Sequence, residues 1–88
     1  MPLPDPATDA SRTLARLRWR CRRGMQELDI LLVRYLEHDY EGAASAEREA
    51  FARLLDLQDP EVFGYLLGPE RAADEVLRRV IARIRHDP

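Results

Sequence analysis

Apolar residues recur along this chain at helical spacing, and no stretch alternates apolar and polar for long enough to predict a strand. A first helix is expected from Ser11, a plausible N-cap, with Leu14, Leu17 and Cys21 at i, i+3 and i+7 on one face. Trp19 lies off that stripe. The helix must end or bend between Arg20 and Gly24. A second helix is predicted from about Arg23 to Leu36, with Leu28, Leu31, Leu32, Tyr35 and Leu36 as its apolar face and the acids Glu27 and Asp29 early, where the dipole favours them. After the polar break 37–42, a third helix runs from Ser45 or one residue earlier to Leu57, with Phe51, Leu54 and Leu55 inward. Gln58-Asp59-Pro60 predicts a fourth start, with Asp59 as N-cap and Pro60 at the first helical position. That helix carries the apolar residues Val62, Phe63, Leu66 and Leu67 and stops at Gly68-Pro69. A fifth begins near Ala73 or Asp74 and carries Val76, Leu77, Val80, Ile81 and Ile84. The expected fold is all-α, a small five-helix bundle.

With 88 residues, the chain predicts one domain with one thin core and little room for a deep substrate cleft. Residues 11–88 form the predicted helical domain, and residues 1–10, with three prolines in the first six, a disordered lead-in. The composition, 45% hydrophobic and 34% charged, is that of a globular chain. The start has neither a basic end nor an apolar stretch, so no signal peptide is expected. No apolar run approaches the roughly 20 residues of a membrane span, so direct membrane insertion is not expected. The single cysteine, Cys21, permits no disulfide within the chain and fits a reduced, cytoplasmic setting.

Charge is unevenly placed. Residues 1–24 hold six Arg against two Asp, residues 25–75 four Arg against thirteen acids, and residues 76–88 four Arg against one Asp. An uneven distribution of this kind suits a charged partner, or ends that pack near the acidic middle. Six Arg between positions 12 and 23 could track a phosphate backbone, yet Leu14, Leu17 and Cys21 interrupt them at core spacing and the chain is acidic overall, so no nucleic-acid partner is expected.

Chemistry-bearing patterns are sparse. His38 and His86 stand near no Ser or Cys in a nucleophile motif. Consecutive Glu37-His38-Asp39 would not converge on one metal ion, and no glycine-rich phosphate loop occurs. No catalytic, metal or cofactor-binding residue is therefore expected, and no bound cofactor. The segment Arg23-Gly24-Met25-Gln26-Glu27 differs. On a helix, positions i, i+1 and i+4 fall within a ~100° arc, which would put Arg23, Gly24 and Glu27 on one exposed patch. A guanidinium fork, a carboxylate and a glycine that admits another backbone suit docking to a protein surface. The plainer reading is an i, i+4 ion pair worth ~0.3–0.5 kcal/mol beside a helix junction.

The stretch Leu17-Arg18-Trp19-Arg20-Cys21-Arg22-Arg23-Gly24-Met25-Gln26-Glu27-Leu28-Asp29 resembles the signature of the succinate dehydrogenase assembly factor family, whose members are called SdhE or YgfY. The family's hallmark, Arg-Gly-x-x-Glu, is matched by Arg23, Gly24 and Glu27. The resemblance continues through Glu37-His38-Asp39-Tyr40, Arg53-Leu54-Leu55 and Asp59-Pro60-Glu61-Val62-Phe63, covering about residues 16–84. It implies a five-helix bundle that binds the flavoprotein subunit of succinate dehydrogenase, and in bacteria that of fumarate reductase. Such a protein promotes covalent attachment of FAD to a histidine of that subunit without being an enzyme or holding FAD itself. By the same resemblance Arg23, Gly24 and Glu27 face the partner, with Trp19, Arg22 and Asp29 as neighbours. Members have also been described as antitoxins under the name CptB, which stands as the alternative role. Two features depart from the family pattern: the longer proline-rich start, and Ala44-Ser45-Ala46 where a more acidic capping segment would be expected.

Overall fold

A computed structural model describes residues 9–86 and contains five helices with no strand among them. They are α1 (Asp9–Arg20), α2 (Gln26–His38), α3 (Ser45–Leu55), α4 (Asp59–Leu66) and α5 (Glu75–Arg85). Helix α1 starts two residues ahead of the expected Ser11. Residues 1–8, most of the predicted lead-in, lie outside the described residues.

Helix α5 organises the bundle, because it packs on α2, α3 and α4, with α3 its most extensive neighbour. Its start obeys local sequence rules: the Asp74 carboxylate accepts a hydrogen bond from the Leu77 amide at 3.0 Å, a side-chain N-cap. Val80, Ile81 and Ile84 are buried, and Val76 and Leu77 are partly so, as the stripe predicts. Facing them, α2 buries Leu28, Leu32, Tyr35 and Leu36, and α3 buries Ala50, Phe51, Leu54 and Leu55. Tyr35 and Phe51 meet ring to ring with centroids 4.7 Å apart. The N-cap of α3, Ala44, offers no side-chain hydrogen bond, consistent with its missing acidic segment.

Helix α1 joins through Leu17 and Cys21 and packs on α2. Helix α4 departs from expectation in two ways. Gln58, not Asp59, is its N-cap, so Pro60 falls at the second helical position. Its apolar residues also divide: Val62, Gly64 and Leu66 face in, whereas Phe63 and Leu67 remain 43% and 37% exposed. Gly64 permits this orientation, since a Cβ there would come within 2.6 Å of the Glu70 side chain.

All fourteen cationic side chains of the sequence, histidine aside, are arginines, and several close the C-terminal ends of helices. The last carbonyls of a helix lack intrahelical partners and carry the negative end of its dipole. Arg34 donates to the Ile84 carbonyl of α5 at 2.9 Å, and Arg85 to those of Tyr65 and Gly68 at the end of α4, each at 3.2 Å. Arg20 reaches the Ala52 carbonyl of α3 at 3.4 Å and also pairs with Asp56.

Cys21 has no solvent exposure, and burial pushes its thiol up to about 11. The Tyr35 hydroxyl, likewise buried, is pushed up to about 12. An unfolded chain ionises both groups first, so their linkage leaves stability unchanged below about pH 8.5 and lowers it as pH rises through 9 toward 12. Chemical denaturation across that range should show the decline. Cys21→Ser, which places a hydroxyl among apolar neighbours, should lower stability by ~1–2 kcal/mol at pH 7. Rapid native-state alkylation of Cys21 at pH 7.5 would contradict its burial.

Candidate functional site

Between α1 and α2 the chain turns through residues 21–25, and the sequence explains why no helix spans them. Gly24 has φ +81°, a left-handed conformation that a side chain disfavours. Asp29, in the first turn of α2, reaches back over this turn. Its Oδ1 accepts from the Arg23 amide at 2.8 Å, and its Oδ2 from the Gly24 amide at 3.3 Å. One carboxylate thus satisfies two consecutive loop amides. The predicted start of the second helix at Arg23 is therefore corrected to Gln26, because Gly24 and the Asp29 clamp hold the preceding residues in a turn.

Arg23 also differs from its expected place on an exposed patch. Its guanidinium turns inward and is only 15% exposed. Nη2 donates to the Leu55 carbonyl at 2.6 Å and the Leu57 carbonyl at 3.4 Å, both at the end of α3. Nε lies 3.7 Å from Oδ1 of Asp59. That contact explains the shifted start of α4: the Asp59 carboxylate faces Arg23 while Gln58 takes the cap position. Arg23 therefore ties the turn to both helices of the α3–α4 corner.

Glu27 does the opposite. It is exposed on the first turn of α2, and no ion pair or side-chain hydrogen bond involves it among the described residues. The Arg23–Glu27 ion pair considered from spacing does not form, because Arg23 is engaged 32 residues away. Gly24 is also exposed, and a Cβ built on it would meet nothing within 4 Å. The hallmark divides into an inward Arg23, which braces, and an outward Gly24 and Glu27, which are free to meet another molecule.

Trp19 lies in the last turn of α1 and Arg22 just beyond it, and both are exposed. Trp19 is 72% exposed and shares a shallow hollow with Leu14, Ala15, Arg18 and Arg22. Arg22 also lines a second hollow with Asp29, Ile30, Val33 and Arg34. The six residues singled out from the sequence thus gather around one joint. Sequence reasoning missed Ile30, 57% exposed, and the outward setting of Phe63 and Leu67, which share a cleft with Glu27. For Ile30 the signal was available, since it falls off the Leu28–Leu32–Tyr35 stripe.

Among the described residues, no group of three His, Cys, Asp or Glu is placed to hold a metal ion, and no helix is long and apolar enough to cross a membrane. Fold and joint together define a small all-α, five-helix protein built around a braced Arg-Gly turn. The sequence pattern of the family described as flavinator of succinate dehydrogenase matches residues 15–88, and the chain belongs to that family. It is similar to the FAD assembly factor SdhE of Xylella fastidiosa, 43% identical over 84 residues that cover 96% of this chain and 87% of that protein. It resembles the protein of the same name from Pectobacterium atrosepticum, 41% identical over 70 residues and 80% of each chain. The Shewanella oneidensis counterpart is 39% identical over 72 residues, covering 82% of this chain and 88% of that one.

The geometry separates stability from surface. Arg23→Ala removes a charged hydrogen bond to buried carbonyls and should lower stability by about 2 kcal/mol. Gly24→Ala should cost about 1 kcal/mol because of the positive φ, and Gly24→Asn clearly less. Urea denaturation of the three variants reads both effects. An Arg23→Ala variant as stable as wild type would refute the brace.

Proposed function

We propose that this chain is an assembly factor that docks on the flavoprotein subunit of succinate dehydrogenase, and on that of fumarate reductase where present, and promotes covalent attachment of FAD to it. It acts in the cytoplasm, is not itself an enzyme and binds no FAD alone. The observation that carries this reading is family membership over residues 15–88, together with relatives that are named FAD assembly factors. The site supports it: Gly24 and Glu27 stand open on a turn that Asp29 and Arg23 hold in place.

Flavinylation joins FAD to a histidine of the client, and its bond-making chemistry belongs to the flavin and the client's own side chains. A helper without a reactive group speeds such a reaction by holding the client in a productive geometry. In this reading the turn is organised before the client arrives, so little conformational entropy is lost on docking. Glu27 offers an unpaired carboxylate, Gly24 lets a client backbone come close, and Trp19 and Arg22 extend the contact.

Glu27→Ala should leave the melting temperature nearly unchanged, because an exposed, unpaired carboxylate contributes little to stability. It should reduce covalent flavin on the client severalfold when the factor is limiting, read by in-gel flavin fluorescence. Gly24→Ala and Gly24→Asn should both weaken client binding, Asn the more, although Asn is the milder change for the fold. Covalent flavin yields equal to wild type in all three variants would overturn the assignment, as would wild-type protein that gives no increase over client and FAD alone.

A further inference from the structure

Helix α4 presents a second face toward the joint. Phe63 and Leu67, at i and i+4, stand side by side and exposed, while Val62, Gly64 and Leu66 turn inward. A Cβ built on Gly64 would come within 2.6 Å of the Glu70 side chain, and one built on Gly68 within 3.1 Å of the Gly64 carbonyl oxygen, so glycine at both positions keeps this end of α4 close-packed. These two side chains enclose a shallow cleft of about 280 Å³ with Met25, Gln26, Glu27 and Leu28. Leu28 is fully buried and floors it, and Glu27 stands at its rim with no partner among the described residues.

The cleft is smaller than the roughly 300–1,000 Å³ typical of small-molecule sites, and it is open. Its scale and apolar lining suit a protein side chain, and its one unpaired charge is negative. We infer that the cleft formed by Phe63, Leu67, Met25 and Leu28 receives an apolar side chain of the client flavoprotein, next to a client Lys or Arg that pairs with Glu27. The inference rests on the client proposed above and adds α4 to the docking surface. Charge complementarity selects the occupant: a bare carboxylate at the edge of an apolar hollow is matched by a cation flanked by an aliphatic or aromatic residue. A desolvated aromatic anchor of this kind carries a large share of binding energy in protein interfaces.

The test is the affinity of full-length protein for the purified apo-flavoprotein subunit, by biolayer interferometry at several salt concentrations, with covalent flavin yield measured in parallel. Phe63→Ala should weaken binding at least tenfold, and Leu67→Gln severalfold, with melting temperatures close to wild type. Glu27→Gln should weaken binding and flatten its salt dependence, which marks the paired client cation. Phe63→Ala and Leu67→Gln variants that bind as wild type does, while Glu27→Gln is impaired, would overturn the cleft and leave the proposed function standing. Wild-type protein that neither binds the flavoprotein nor raises its covalent flavin would overturn both.

Discussion

The constraint on which the rest of the structure depends is the need to close the C-terminal end of α3. Its last carbonyls have no partner within the helix, and the corner that follows carries the Leu57 carbonyl and the Asp59 carboxylate into the same region. Arg23 meets the Leu55 carbonyl, the Leu57 carbonyl and the Asp59 carboxylate from more than 30 residues away in sequence. A guanidinium suits this task because its planar fork donates in several directions and keeps its charge when partly buried. Arg20 adds a second cation at the same helix end. The turn between α1 and α2 is consequently fixed by its contacts with the α3–α4 corner, and Gly24 accepts the conformation that remains.

From that brace follows a division of labour within the seven residues 23–29. Arg23 and Asp29 face the protein, one through its side chain and the other through the loop amides it accepts. Gly24 and Glu27 face outward. A turn whose geometry is set by buried partners presents its free groups in one arrangement, which is how a small bundle without a deep pocket achieves a defined surface. The same economy appears at α4, where an inward glycine turns Phe63 and Leu67 out beside Glu27. Exposed apolar side chains next to an unpaired carboxylate give that side of the molecule both anchor and charge.

Much of the fold was legible in the sequence because helical periodicity and local caps determine it. The α5 stripe and a start near Asp74 are decided within one or two turns and appear where the pattern puts them, and the structure adds the Asp74 side-chain cap. Five helices, all-α, follow from such local rules. The start of α2 was not legible, since a glycine before an acidic helix turn is compatible with a helix or with a left-handed break. Only the reach of Asp29 decides it. The Asp59 cap failed for a similar reason: its carboxylate faces an arginine that no local window contains. Periodicity also groups Phe63 with Val62 without saying which of them the bundle covers. Of the candidate site, the grouping of residues 19–29 at one joint is legible because they are close in sequence, whereas the inward direction of Arg23 depends on a long-range contact and is not.

The central claim is that the Arg23–Gly24 turn is organised before any partner binds. Amide hydrogen exchange of the free protein, read residue by residue, tests it most directly. The Arg23 amide, donating to Asp29 at 2.8 Å, should exchange slowly, with an opening free energy close to that of the first turn of α2. Asp29→Ala should release it to fast exchange while the core amides of α5 stay protected. An Arg23 amide that exchanges in the wild type at the rate of an unstructured peptide would contradict the account.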